Sequence, residues 1–359
     1  MLSGGSYITH VLASKNPSLL SATYSVLLRS SSQASLFSKL DVTPIVLQDP
    51  EDLTELRNIA SNYDIVINFA YITLPEHAKA LVLGLGDRKK ANPNMRQPVF
   101  VQASSGTSNI ADRPFSAPDR FTKLDLPLEF TDLESNAVYE AEKRLNTEEH
   151  YPLRTTELGV IDAGLEVGIE THTVMVPTAY GIGTGPGNKI SIQIPLLIRS
   201  VLKNGYLAVA GDGNGVWDRV HVEDLAGLLA KLLIRIIKDE PVPSGKDGIL
   251  FSGTSRKSWK DLANAIINVG VKLGKLPADT QIKHVEFKEA EKSWGLEGAP
   301  GLAELGFTSN SRTRAERVRQ WGWEPKFLDM EQAIREDWLA ITETETTEGG
   351  DGLASTEKK

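Results

Sequence analysis

Short apolar runs alternate with segments of helical spacing through the first half of the chain. Five runs have a strand-like pattern: Tyr24–Leu28, Pro44–Leu47, Asp64–Ala70, Val99–Ala103 and Thr171–Val176. Three segments between them have helical spacing: Pro50–Ser61, Pro75–Lys89 and Pro152–Gly164. Almost continuously apolar strands that alternate with helices indicate a parallel sheet covered by helices on both faces. The pattern therefore predicts an α/β fold with a doubly wound parallel sheet.

The second half of the chain has a mixed pattern. Helices are predicted at Ser191–Lys203, Val222–Lys238, Ser258–Val271 and Met330–Ile341, and short strands at Leu207–Val209 and Ile249–Phe251. The Pro- and Asp-rich segment Asp112–Ser135 is expected to be irregular. Residues 342–359 combine 5 acidic and 2 basic residues with small polar ones, which predicts a disordered acidic tail.

The composition is that of an ordinary globular protein with an acidic surface. The 359 residues include 39 Lys and Arg against 47 Asp and Glu, which gives a net charge of −8. A chain with this balance and no basic block is a poor candidate for binding nucleic acid or an anionic membrane. It has no cysteine, which excludes disulfides, thiolate catalysis and cysteine-ligated metals. The six histidines show no metal-ligand spacing, so we expect no metal site.

No segment of the sequence resembles a signal peptide or a membrane span. Met1–Asn16 is polar and rich in Gly and Ser, and the apolar stretch Leu225–Ile237 is short and contains Lys231 and Arg235. We expect a cytoplasmic protein that acts on a small molecule and has no nucleic-acid or membrane partner. A homodimer is compatible with the sequence, which does not determine the oligomeric state.

Small and polar residues stand where several predicted strands end. They are Asp49, Asn68–Ala70, Ser104–Thr107 and Val176–Gly181, and a glycine pair, Gly4 and Gly5, stands near the N-terminus. Further along the chain come Gly211–Gly213, Trp217–Ala226 (WDRVHVEDLA) and Ala315–Pro325 (AERVRQWGWEP). In an open α/β sheet, ligands bind beyond the carboxyl ends of the strands. The first group therefore predicts a binding site at one edge of the sheet.

In this order and spacing, the motifs resemble those of the extended short-chain dehydrogenase/reductases, the NAD-dependent epimerase/dehydratase family. The likeness covers about residues 2–330. Its most specific parts are the Pro-x-x-Tyr-Gly loop at Pro177, the His-Val-x-Asp-Leu-Ala sequence at His221 and the Gly-Trp-x-Pro sequence at Gly322. It implies a Rossmann-like NAD(P)-binding domain over residues 1–178. A smaller mixed α/β substrate domain, often for nucleotide sugars, would cover residues 179–341 and be partly interleaved with the first.

The resemblance assigns cofactor binding to the glycine turn and to the strand ends. The residues implied are Gly4, Gly5, Tyr7, Ile8, Asp49, Asn68, Ala70, Pro177 and Tyr180. Arg29 follows the strand at Tyr24–Leu28, where an acid would bind the 2′-hydroxyl of NAD and an arginine would accommodate the 2′-phosphate of NADP. Because Arg29–Ala34 contains no acid, NADP is favoured over NAD; the alternative is a solvated arginine at a strand end. The loop Gly181–Gly187 is interpreted as a mobile loop beside the substrate site, or as a plain surface turn.

The catalytic Tyr-x-x-x-Lys motif of the family is not at its expected position. Counting back from Tyr180 by the family's spacing places the tyrosine position at Glu149 and the lysine position at Leu153. Tyr151 lies close to the first of these, and Tyr139 with Lys143 matches the motif in letters but comes too early. An unassisted tyrosine has a pKa near 10, so the lysine matters for proton transfer at neutral pH. Ser105 matches the family's serine or threonine that binds the substrate oxygen.

The N-terminus also departs from the family pattern. The glycine motif is one residue short, Thr9 occupies the place of its last glycine, and only Met1 and Leu2 precede it. In a sheet of order 3-2-1-4-5-6 the missing strand would be central and paired on both sides. We therefore expect that the natural chain carries about five to ten more apolar residues upstream, enough for one strand. The alternative is a degenerate protein whose sheet closes over the gap.

Together these patterns predict an atypical NAD(P)-dependent oxidoreductase or epimerase that acts on a small hydroxylated substrate, with a nucleotide sugar as one candidate. The alternative is a non-catalytic NADP(H)-binding sensor or scaffold on the same fold. The missing Tyr-Lys pair favours the sensor, and the intact motifs of the C-terminal half favour the enzyme. His221, within the helix-start motif, is predicted to make a structural hydrogen bond rather than to act in catalysis.

Overall fold

The structure is a computed structural model that describes residues 2–37 and 39–347. Met1 and residues 348–359, which include most of the predicted acidic tail, lie outside the described residues. The strands are β1 (Ser25–Leu28), β2 (Thr43–Val46), β3 (Ile65–Asn68), β4 (Val99–Gly106), β5 (Phe130–Thr131), β6 (Glu170–Val176), β7 (Thr178–Tyr180), β8 (Leu207–Ala210), β9 (Val216–His221), β10 (Ile249–Phe251), β11 (Ser255–Ser258), β12 (Ile282–Val285) and β13 (Thr313–Arg314).

The helices alternate with these strands in the first half of the chain and dominate the second. They are α1 (Leu2–Leu12), α2 (Pro17–Leu20), α3 (Ser31–Phe37), α4 (Leu53–Ala60), α5 (Pro75–Ala91), α6 (Arg120–Lys123), α7 (Ser135–Glu148), α8 (Pro152–Val167), α9 (Gln193–Asn204), α10 (Val222–Ile237), α11 (Trp259–Lys272), α12 (Phe287–Trp294), α13 (Pro300–Phe307), α14 (Arg317–Gln320) and α15 (Met330–Thr347). In the part of the chain that the structure describes, none of them is long and apolar enough to cross a membrane.

The main sheet has the parallel order β10-β6-β4-β3. Phe100 of β4 packs with Leu56 of α4 and Leu85 of α5 on one face. Its neighbour Val101 belongs to a second cluster, which includes Val11 of α1 and Leu229 of α10. Because successive residues of a strand point to opposite faces, both faces of the sheet are covered, as the apolar strands predict. The predicted doubly wound α/β class is confirmed.

The glycine turn predicted at Gly4 and Gly5 is not formed, because both residues lie inside the helix α1. Tyr7 of α1 instead packs against Phe69, with 5.3 Å between the ring centroids. Among the described residues, no strand pairs with both β1 and β3 to join them in one sheet. The strand β1 pairs only with β2, and β3 is the edge strand of the main sheet. The strands predicted on either side of the central position are therefore present but separate.

The segment predicted to be irregular, Asp112–Ser135, is held by a buried carboxylate. Asp132 accepts hydrogen bonds from the backbone N–H groups of Phe251, Glu316 and Arg317. Burial raises the pKa of Asp132, and these backbone donors oppose the rise because they stabilise the charged form. Asp132 thereby links the loop after β5 to β10 and to the start of α14.

The second half of the chain builds its own core around α9, α11 and α15. Trp338 of α15 is completely buried there, and its indole N–H donates to the Ile266 carbonyl at 3.0 Å. The strand β10 leaves this half to join the main sheet beside β6, so the two halves share one sheet. The helix α15 includes residues 342–347, which the sequence assigned to the tail.

Candidate active site

Polar side chains meet at the carboxyl ends of β3 and β4. Asn68 ends β3, and its side-chain amide donates to the Gln102 side chain at 2.8 Å. The side-chain carbonyl oxygen of Asn68 accepts from the backbone N–H groups of Ala70 and Tyr71, both at 3.1 Å. A buried amide with all these partners fixes the turn after β3. Asn68 thus shapes the edge of the sheet where the site was predicted.

Ser105 lies at the end of β4, after an irregularity in the pairing with β6, and is buried. Its hydroxyl donates to the carboxylate of Glu157 on α8 in a short hydrogen bond. The side-chain amide of Asn109 donates to the Ser105 hydroxyl at 3.2 Å and to the same Glu157 oxygen at 3.0 Å. Ser105, Asn109 and Glu157 therefore form one hydrogen-bonded group.

A second buried glutamate completes this group. Glu142 of α7 and Glu157 are both inaccessible to solvent, and neither oxygen of Glu142 has a hydrogen-bond partner among the described residues. Burial, and then the negative charge of Glu157, raise the pKa of Glu142 well above its usual range. Burial raises the pKa of Glu157 to about 8, against the opposing hydrogen bonds from Ser105 and Asn109. The two carboxyls of this acid pair, Glu142 and Glu157, therefore keep their protons to a higher pH than exposed glutamates do.

A buried arginine lies beside the acid pair. Arg154 donates to the backbone carbonyls of Asn109 and Glu149, both at 2.9 Å. Burial lowers its pKa to about 10, and the nearby Glu142 opposes this because it stabilises the positive charge. The cluster thus contains carboxyls that can hold a proton and donors that orient them. Among the described residues, the side-chain partners of the Ser105 hydroxyl are Glu157 and Asn109 and include no tyrosine.

Tyr139 and Lys143, the pair that matches the catalytic motif in letters, contact Asp162 and each other. The Tyr139 hydroxyl donates to Asp162 of α8 at 2.5 Å, and its pKa is raised by burial and by this bond. The Lys143 ammonium lies 5.4 Å from the centre of the Tyr139 ring and Lys246 lies 4.6 Å from it, so both cations face the ring. This arrangement does not lower the Tyr139 pKa as a catalytic lysine would.

The residues at the counted motif positions have other contacts. Glu149 forms ion pairs with Arg113 and Arg120. Leu153 is buried, close to Gly106, where an added Cβ would lie 2.6 Å from its side chain. Tyr151 begins α8, and its hydroxyl lies 3.1 Å from that of Ser108. Burial raises the Tyr151 pKa.

The predicted cofactor residues fall into buried and exposed sets. Tyr7 and Ile8 are buried in α1, and the Tyr7 hydroxyl has no partner among the described residues. Arg29 and Asp49 are exposed at the ends of β1 and β2, and Ala70 is exposed after β3. The Arg29 backbone N–H donates to the Gln33 side-chain oxygen at 3.0 Å.

The segment after β6 is anchored by contacts among three aromatic rings, of which Tyr180 and His221 are buried and Phe327 is 47% exposed. Tyr180 donates its hydroxyl to the Phe327 carbonyl at 2.9 Å, and burial raises its pKa to about 12. His221 stacks on Phe327 and accepts from the Glu223 N–H at 3.2 Å, which caps α10. Burial lowers the His221 pKa, so the ring stays neutral. This contact is the structural hydrogen bond predicted for His221.

A pocket of about 310 Å³ lies in the second half of the chain. Its walls include the aromatic rings of Phe115, Trp259 and Phe307, with Asp212 and Arg312 at polar positions. Apolar walls with a few polar groups are typical of small-molecule sites. We treat this space as the candidate substrate pocket.

Comparison with known proteins agrees with the fold. Residues 92–241 match the model of the NAD dependent epimerase/dehydratase family. The chain is 27% identical over 316 residues to a protein named Oxidase ucsJ from Acremonium sp., covering 84% of each chain.

Solved structures share the fold of this chain. A dTDP-glucose 4,6-dehydratase from Streptomyces venezuelae superposes with a TM-score of 0.60 at 14% identity, over 95% of this chain and 94% of that one. A UDP-glucuronic acid 4-epimerase from Bacillus cereus gives a TM-score of 0.56 at 13% identity, over 96% of each chain. At this identity the likeness concerns the fold alone.

The family's dinucleotide can be tested against the residues around α1. A pyrophosphate at a helix N-terminus needs glycine backbone that the ligand can approach. Here a Cβ added at Gly5 would lie 2.8 Å from the Pro186 carbonyl oxygen, and the Gly185 backbone packs directly on Gly5. No space is left for a phosphate. In this arrangement the residues around Gly4 and Gly5 do not fit a pyrophosphate.

Sequence reasoning missed the acid pair. Glu142 follows the spacing of the buried residues Val138, Ala141 and Leu145 on α7. Glu157 likewise shares the buried face of α8 with Leu158 and Ile161. An acid at an apolar-face position is uncommon, because burying a charge is costly. That departure from the pattern was the available signal.

Proposed function

We propose that the protein is an oxidoreductase or epimerase that acts on a hydroxyl or carbonyl group of a small organic molecule, with NADP(H) as its dinucleotide and NAD(H) as the second choice. The observation that carries this proposal is the hydrogen-bonded group of Ser105, Asn109 and Glu157 at the carboxyl end of β4. Ser105 orients the substrate oxygen. Glu157 keeps its proton near neutral pH, because its pKa lies near 8, and in that form it donates to the Ser105 oxygen, which leaves the serine hydrogen for the substrate oxygen.

The relatives support this reaction class. The sequence relative that spans most of the chain is named an oxidase. The structural neighbours are a dehydratase of dTDP-glucose and an epimerase of UDP-glucuronic acid, both solved with NAD. We infer that the substrate is hydroxylated and small enough for the pocket beside Phe115 and Trp259, with nucleotide sugars as the first candidates to test.

A Ser105→Ala variant tests the proposed site. We expect turnover of the active substrate, found by screening dTDP-glucose, UDP-glucuronic acid and simple ketones with NADPH or NADP, to fall about a hundredfold, since one hydrogen-bond donor to the reacting oxygen is lost. Tyr139→Phe is the matched control and should change turnover little, because the Tyr139 hydroxyl bonds Asp162. If Tyr139→Phe or Tyr151→Phe abolished turnover while Ser105→Ala did not, a displaced tyrosine would be the proton donor.

Arg29 provides a test of dinucleotide choice. We expect NADPH to bind more tightly than NADH, and Arg29→Ala to reduce the difference by about 1–3 kcal/mol, the range of a charge-assisted hydrogen bond to the 2′-phosphate. Fluorescence titration of both dinucleotides measures this. Lys39→Ala is the control for a general loss of positive charge. Equal affinities for NADPH and NADH in the wild type would contradict the NADP assignment.

A non-catalytic NADP(H)-binding sensor is the second candidate function. Glu149 and Leu153 stand where the family has its catalytic tyrosine and lysine, and Glu149 is held by Arg113 and Arg120. Under this alternative, NADPH binds and raises the melting temperature, but no substrate in the screen is turned over. The same screen therefore separates the two functions.

A further inference from the structure

The glycine loop, residues Gly181–Gly187, lies directly on the N-terminal part of α1. The Thr184 backbone N–H donates to the Ser6 hydroxyl at 3.2 Å. The Gly185 backbone packs on that of Gly5, and Gly183 faces Leu2 and Ser6. The loop thus covers the end of α1 that the glycine motif assigns to a pyrophosphate.

The glycine loop is also tied to the start of α10. The Thr184 hydroxyl donates to the Glu223 carboxylate at 2.9 Å. At its beginning, Gly181 has a positive φ of 86° and packs on the His221 ring, which leaves no space for a side chain. Thr184 therefore bridges α1 and α10, and the loop is seated from both sides.

Two glycines in the middle of the loop are explained by this contact rather than by their backbone angles. Positive φ values in the loop occur at Gly181 and Gly187, and not at Gly183 or Gly185. A Cβ added at Gly183 would lie 2.6 Å from the Leu2 side chain and 2.9 Å from the Ser6 hydroxyl oxygen, and at Gly185 it would overlap the Gly5 backbone. The loop composition is thus adapted to lie close against α1.

We propose that the glycine loop is a strap that occupies the pyrophosphate position at α1 and must lift before a dinucleotide binds. The strap continues directly from Tyr180, whose hydroxyl is fixed by the Phe327 carbonyl. This inference rests on the proposed function, because it requires that the protein binds a nicotinamide dinucleotide.

A disulfide between strap and helix tests the proposal in a chain that has no native cysteine. In the double variant Ser6→Cys with Gly183→Cys, the Gly183 Cβ position lies 2.9 Å from the Ser6 side-chain oxygen. This matches the separation of about 3 Å between a Cβ and the partner sulfur in a disulfide. The two single cysteine variants are the controls. Thiol titration measures whether the bond forms, and failure to form it would contradict the contact.

NADPH is the probe, with binding measured by its fluorescence. We expect the oxidised double variant to bind NADPH at least about tenfold more weakly than the same protein after reduction, since the binding-competent state is removed. Equal binding before and after reduction would overturn the strap and leave the proposed function intact. If neither the wild type nor any reduced variant binds NADPH or NADH, the proposed function itself fails.

A variant that pushes the strap away provides the opposite test. Gly185→Ala places a methyl group against the Gly5 backbone, whereas Gly159→Ala on α8 adds one where nothing lies within 4 Å. We expect Gly185→Ala to bind NADPH several-fold more tightly than the wild type, and Gly159→Ala to bind it equally. Unchanged or weaker binding by Gly185→Ala, in a variant with wild-type thermal stability, would count against the strap.

Discussion

Replacing Glu157 with glutamine is expected to remove a large part of the pH dependence of this protein's stability. The Glu157 pKa is about 8 in the folded protein, against 4.5 for an ordinary glutamate. Between these values the unfolded chain has lost the proton and the folded chain keeps it, so the free energy of unfolding falls as pH rises, by up to about 1.4 kcal/mol per pH unit. Glutamine cannot titrate and still accepts the bonds from Ser105 and Asn109. The variant should therefore gain stability over the wild type as pH rises.

Urea unfolding at about pH 5 and about pH 8 measures this difference in slope. Glu166→Gln is the control, because it makes the same chemical change at an exposed position of the same helix. Glu142→Gln should also make the stability less dependent on pH, since it removes the other carboxyl whose pKa is raised by burial. If the free energy of unfolding changed with pH equally in the wild type and in Glu157→Gln, Glu157 would be ionised in the folded protein. That result would contradict its role as a proton holder.

An Asp224→Ala variant is expected to lose about 1–3 kcal/mol of stability, because two partly buried backbone N–H groups lose a charged, buried acceptor. Asp224 lies in the first turn of α10 and accepts from the N–H groups of Lys326 at 2.7 Å and Phe327 at 3.1 Å. Phe327 in turn accepts from Tyr180 and stacks on His221. Loss of Asp224 should therefore also release the segment on which the strap begins.

Thermal and urea unfolding test the stability loss, and Asp279→Ala is the control at an exposed aspartate. Asp224→Asn should fall between the two, because an amide oxygen can accept one of the two bonds but its nitrogen faces the other donor. If Asp224→Ala unfolds within about 0.5 kcal/mol of the control, the range of ordinary surface substitutions, the anchoring role is wrong.

The acid pair and the strap together suggest how the site departs from the family pattern. The positions counted for the family's tyrosine and lysine contain Glu149 and Leu153, and under the proposed function Glu157 supplies the proton in place of a tyrosine. The Glu157 carboxyl is buried and hydrogen-bonded to Ser105. Under the same proposal, Ser105 gives its own proton to the reacting oxygen and takes the proton of Glu157.

Most of the fold could be predicted from the sequence. The apolar runs at Tyr24–Leu28, Asp64–Ala70 and Thr171–Val176 are strands in the structure, within a few residues of the expected bounds. The motif at His221 begins a helix, as expected. These predictions succeed because strand and helix periods are local properties of the chain. Local reasoning also explains why the turn predicted at Gly4 and Gly5 is wrong. The two glycines alone favour a turn. The helix α1 forms instead and buries Tyr7 and Val11.

The sequence by itself determined the α/β class, the order of the elements and the position of Ser105 at a strand end. Only the tertiary structure decided which groups meet there. Glu142 and Glu157 come from two helices, and their shared proton-holding character arises from burial, which no local pattern measures. The contact of Gly185 with Gly5 likewise joins residues that are remote in the chain. Close packing between distant segments is a property of the folded chain, so the strap became visible only in the structure.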